Sequence, residues 1–166
     1  MLNKIKNIVK GIKLNIKVAK GIASDNMPTK IYRLEMISAD GVIYEYSPAT
    51  LAVSGVSICG TQPIQFTNGL LVQRIIYDDL YDELSEDTKQ FIVEHEKGHF
   101  DLKHDGSVRR IEDEYAADEY AALIVGKENA IKALKEMAEL LSVVSFSKRH
   151  KSVVEINDRI KNIELM

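Results

Sequence analysis

Phe91-Ile92-Val93-Glu94-His95-Glu96-Lys97-Gly98-His99-Phe100 holds the pattern His-Glu-x-x-His inside a run of helix formers. At 3.6 residues per turn, His95 and His99 project from one helix face, so two imidazole nitrogens can reach one metal ion. Zinc suits such a pair. A catalytic zinc also needs a third protein ligand and an open position, and Glu96 is placed to take a proton from water activated there. The preceding Leu84-Ser85-Glu86-Asp87-Thr88 reads as a helix start, with Ser85 as N-cap and two acids in the first turn. The helix is expected to run through Leu102 to a stop at Asp105-Gly106. Gly98 is unfavourable in a helix interior by roughly 1 kcal/mol relative to Ala, so its expected use is to let another backbone approach the metal.

Working outward, the next stretch is Arg110-Ile111-Glu112-Asp113-Glu114-Tyr115-Ala116-Ala117-Asp118-Glu119-Tyr120-Ala121-Ala122. Helical spacing puts Glu114, Asp118 and Ala121 along one side, with Ala117 and Ala122 keeping it narrow enough for close helix packing. By spacing alone the same residues also read as a solvated acidic face, with Arg110 and Glu114 as a four-apart ion pair.

Together, His95-Glu96-Lys97-Gly98-His99 and Glu114-Tyr115-Ala116-Ala117-Asp118-Glu119-Tyr120-Ala121 resemble the gluzincin zinc metallopeptidases, in particular the HtpX-like membrane peptidases and their small soluble relatives, the minigluzincins. The resemblance covers about Ile58 to Ala133 and, more weakly, the C-terminus. It implies that Glu114 is the third zinc ligand and that Asp118 hydrogen-bonds a zinc-bound histidine, an outer contact that orients the ligand and raises its basicity. It also implies a substrate-binding strand edge before the metal helix, here between Val56 and Phe66. The chain departs from the HtpX-like pattern in having no membrane spans. Near the C-terminus Arg149-His150-Lys151 lacks the family's proline, whereas Arg159-Ile160 is present; His150 and Arg159 are carried over only as candidate transition-state stabilisers.

Composition sets the frame. The 166 residues, 45% apolar and 28% charged, suit a single core. One cysteine, Cys59, excludes an internal disulfide and fits a reducing compartment, and no apolar run near the N-terminus exceeds two residues. A cytoplasmic protein is expected. The net charge is −3, but residues 1–24 contain six lysines and no acid, leaving −9 on the remainder. That negative body argues against nucleic acid as a partner.

Residues 2–22 place Leu2, Ile5, Val9, Ile12, Ile16, Ala19 and Ile22 at helical spacing between lysines, an amphipathic basic helix. Its apolar side is expected first to pack on its own body, as most amphipathic helices do; the alternatives are an anionic membrane surface and a protein partner. Ile31–Ile37 and Val42–Tyr46 read as a β-hairpin about Ser38-Ala39-Asp40-Gly41, followed by strand-like runs at Leu51–Ile58, Ile64–Phe66 and Leu70–Tyr77. Cys59 reads either as a thiolate capping the zinc or, preferably, as a buried small hydrophobe. Further helical stripes lie at Glu128–Leu141 and Val153–Ile163, and His104 is expected on the surface.

These readings converge on an α+β, zincin-like fold: a small, mostly antiparallel sheet, then the metal helix and further packed helices. Residues 1–24 form the basic N-terminal helix and 25–166 the metallopeptidase domain. The expected activity is that of an endopeptidase using one zinc ion, with His95, His99 and Glu114 as ligands, Glu96 as general base, and a protein or peptide as substrate. The alternative is a zinc-containing peptide-binding or regulatory module on the same fold.

Overall fold

The computed structural model describes residues 2–25, 31–54, 58–104, 110–144 and 149–166, and for 2–4 and 149–154 the backbone. The protein is α+β. The described elements run α1 (Leu2–Ser24), β1 (Val42–Tyr46), α2 (Pro48–Ser54), β2 (Cys59–Thr61), β3 (Ile64–Gln65), β4 (Leu71–Tyr77), α3 (Glu86–Asp101), α4 (Ile111–Val125), α5 (Lys127–Val144) and α6 (Arg149–Leu165). No described helix is long and apolar enough to cross a membrane.

β4 is the centre of a mixed sheet rather than a mostly antiparallel one. β1 pairs with it in parallel, Val42 opposite Gln73 through Tyr46 opposite Tyr77, while β2 and β3 pair antiparallel to it. The β3–β4 hairpin turns at Asn68-Gly69, where Gly69 takes a φ of 84°.

Two expected strands do not form among the described residues, and of the second, residues 55–57 lie outside them. Residues 31–37 form no strand: Leu34–Met36 is a short 3-10 turn, and Ile31, Leu34 and Met36 are exposed. β-propensity expresses itself only where a partner strand and a core cover the side chains, and β1 has β4 alone. The run beginning at Leu51 lies in α2 up to Ser54. Pro48 opens that helix, where its fixed φ and missing N–H cost nothing, and the Asp25 carboxylate accepts the Ala49 amide at 3.1 Å. Local start signals thus outweighed β-branched composition.

One core cluster joins the sheet to the helices, taking in Val42 and Ile75 from the sheet and Leu134, Leu141, Val144, Ile156 and Ile163 from α5 and α6. α1 joins it through Leu14 and Val18. The stripe read from the sequence is the outer side of α1, for Ile5, Ile12 and Ile16 are each about half exposed.

α4 lies against α3 at Gly98. A Cβ there would sit 3.1 Å from the Tyr120 Cβ and 3.2 Å from the Ala117 Cα. The approaching backbone foreseen for Gly98 is therefore α4. Replacing Gly98 with valine should wedge the two helices apart, an overpacking cost of roughly 1–3 kcal/mol. Urea or thermal unfolding of Gly98→Val measures it; unchanged stability would mean that the helices can separate freely.

Candidate metal centre

The site is built from the middle of α3 outward. Ser85 caps the helix, its hydroxyl accepting the Thr88 amide and donating to Glu136 at 2.6 Å. Gln73 of β4 donates to the Glu96 carbonyl at 2.8 Å, tying the helix to the sheet. His95 and His99 then face α4, whose first turn carries Glu114.

The His95 and His99 Nε2 atoms are 3.1 Å apart; Glu114 Oε2 is 3.6 Å from the first and Oε1 3.8 Å from the second. Ligands about 2.1 Å from one tetrahedral ion lie roughly 3.4 Å from each other. The three donors therefore already have the mutual spacing of a coordination sphere, and they form the group of the described residues able to hold a metal. Two imidazoles and one carboxylate suit zinc.

Each histidine is held from behind. His95 Nδ1 lies 2.8 Å from Asp118 Oδ1, and Asp118 is fully buried. Burial and the Arg159 charge push the His95 pKa down, but Asp118 outweighs them and raises it to about 9. A metal must displace that proton. For His99, burial and the adjacent His95 lower the pKa to about 4.

Behind His99 stands His104, which is not a surface residue: its Nδ1 is 2.8 Å from the His99 Nδ1 and its side chain is 14% exposed. The cause is the way α3 ends. The helix stops at Asp101, short of Asp105-Gly106; the His104 amide bonds the His99 carbonyl, the Lys103 amide bonds the Phe100 carbonyl, and Lys103 takes a φ of 57°. This is a Schellman ending, which folds the residue after the left-handed position onto the side chain five back. With His99 and His104 in those two positions, one imidazole rests on the other. Glycine usually marks the left-handed position, and here lysine holds it, so only the five-residue spacing of the histidines could have signalled the contact.

Arg159, from α6, is buried beside the centre. Its guanidinium grips Asp118 at 2.6 and 2.7 Å and reaches Glu114 Oε2 at 3.1 Å. Burial lowers the Asp118 and Arg159 charged states' stability, but each partner overrides it, so the Asp118 pKa falls and that of Arg159 rises. Arg110 pairs with Asp113 at 3.2 Å, leaving Glu114 turned inward and 9% exposed. His150 lies in the first turn of α6, where the side chains are outside the described residues.

A cleft of about 870 Å³ opens onto this group, bounded by Cys59, Gly60 and Thr61 of β2 and by Glu96, which is itself buried. Its apolar lining includes Phe91, Met137, Leu141 and Ile156. β2 enters through Ile58, whose φ of 77° is costly for a β-branched residue and is held by Asp78, which accepts the Ile58 amide at 3.2 Å. Cys59 is buried in the core cluster, and burial, then the Glu96 charge, push its pKa well up. Its place in the core is that of a buried small hydrophobe, and it is not among the described residues grouped at coordination spacing.

Compared with known protein families, curated proteins and solved structures, the chain matches none.

Two outcomes follow from this geometry. Arg159→Met should cost about 3–5 kcal/mol in urea unfolding, because Asp118 stays buried without its cation, and Arg159→Lys should recover only part, lacking the two-pronged grip. His104→Ala should weaken zinc binding about 10- to 100-fold in a chelator competition while leaving the unfolding midpoint near wild type; equal affinity would make His104 a bystander.

Proposed function

We propose that the protein is a zinc-dependent endopeptidase of the gluzincin type with a zincin-like fold. The observation that carries this reading is the convergence of His95 Nε2, His99 Nε2 and the Glu114 carboxylate at coordination spacing, on a cleft that the adjacent Glu96 also lines. A structural zinc normally takes four protein ligands and needs no neighbouring base. Three ligands and a glutamate fit a catalytic one.

When bound, zinc supplies Lewis acidity, lowering the pKa of water and polarising a carbonyl. The chain's own residues do the rest. An extended peptide is held along the outer edge of β2, whose other edge is occupied by β4, so backbone hydrogen bonds fix the scissile bond over the metal group. Glu96 takes a proton from the attacking water as its oxygen bonds to the carbonyl carbon, then delivers that proton to the amine nitrogen as the C–N bond breaks. Asp118 keeps the His95 ring oriented with its Nδ1 proton, and His104 does the same for His99. Arg159, already occupied by two carboxylates, acts by orienting them and balancing their charge.

The test separates metal binding from turnover at one side chain. Glu96→Gln preserves shape and removes the base; it should keep its zinc and fold, yet lose on the order of 10²–10⁴ in hydrolysis of an unstructured peptide, with a chelator abolishing wild-type activity. A variant that cuts as fast as wild type would place the hydrolysis elsewhere. Zinc bound by the wild type with no cleavage across a broad peptide library would establish the peptide-binding module instead.

A further inference from the structure

α1 carries two apolar faces, and the body covers the smaller one. Gly11, Leu14, Val18 and Gly21 are buried at three- and four-residue spacing. At Gly11 a Cβ would stand 1.9 Å from the Val143 carbonyl oxygen, and at Gly21 2.2 Å from the Asp79 carboxylate. These contacts fix the roll of the helix, because no other face brings two glycines against the body. With the roll fixed, Ile5, Ile8, Val9, Ile12 and Ile16 face outward at 45–55% exposure. At about 100° per residue, their mean direction lies about 150° from the buried stripe. Between the two runs a row of lysines, Lys6, Lys10, Lys13, Lys17 and Lys20, of which among the described residues Lys17 has an acidic partner, Glu83 at 3.1 Å.

We propose that this outer face of α1 binds an anionic lipid surface, with the isoleucines in the boundary of the acyl chains and the lysines reaching to the headgroups. Lysine stems can lie along apolar surface while their ammonium groups stay wet. The choice of a lipid over a protein partner rests on composition: α1 contains no aromatic residue, no arginine and no methionine. Protein interfaces are enriched in those residues and depleted in lysine. Charge sets the orientation. Residues 1–24 carry +6 and the remainder −9, so an anionic surface attracts α1 and repels the body, which stands away from it. The attachment is peripheral, since no described helix is long and apolar enough to span. It is independent of whether the metal centre cuts peptides.

The full chain is sedimented with vesicles of phosphatidylcholine, with and without phosphatidylserine, at low and high salt. Binding is expected only to the phosphatidylserine vesicles and should fall with salt. Changing Lys6, Lys10 and Lys13 to glutamine should weaken it about a hundredfold. Ile5→Ser, Ile12→Ser and Ile16→Ser together should abolish it without lowering the melting temperature, whereas Leu14→Ser, on the buried face, should lower it. No binding to either vesicle, or equal binding to both, overturns the proposal. So does a concentration-dependent dimer that the isoleucine changes dissolve, which gives the face to a second copy, or a loss of stability in the isoleucine variant matching that of Leu14→Ser.

Discussion

The guanidinium of Arg159 between Asp118 and Glu114 is the contact on which the architecture of the centre rests. Two carboxylates one turn apart on α4, one of them fully buried, repel each other and lose hydration, and burial is tolerable only when a cation answers both. Arg159 does so with a planar fork, filling two hydrogen bonds to Asp118 and one ionic contact to Glu114. The cation comes from α6, the last helix of the chain. Asp118 in turn holds His95 on α3, so one guanidinium binds three helices to a single point.

The same economy governs α3. Its start is pinned by Ser85 and Glu136, its middle by Gln73 from the sheet, and its end by the turn that lays His104 over His99. A helix held at three places can present two imidazoles and a glutamate in fixed orientation, as both metal binding and proton transfer demand. The close passage of α4 at Gly98 then sets how near Glu114 comes. Packing and chemistry are here one constraint.

α1 is governed differently, by shape rather than charge. Two glycines bring it close to the carbonyl of Val143 and the carboxylate of Asp79, and this proximity, more than the hydrophobicity of the helix, decides which side faces inward. Periodicity identifies an amphipathic helix, but it selects the more apolar side as the buried one. Steric fit reversed that choice.

What the sequence by itself determined was local and short-range: the α3 start at Ser85, the turn at Asn68-Gly69, the pairing of His95 with His99 on one face, and the alignment of Glu114 with Asp118 along α4. Each depends on capping chemistry, positive φ or helical spacing within a few residues. What the tertiary structure decided depends on neighbours distant in sequence. Residues 31–37 lack a strand because no partner covers them, and the run from Leu51 opens in a helix because Asp25 and Pro48 support its start. Arg159 meets Asp118 across 41 residues because burial of one charge demands the other. His104 reaches His99 because a backbone reversal at Lys103, invisible to a residue-type signal, turns the chain back on its own helix.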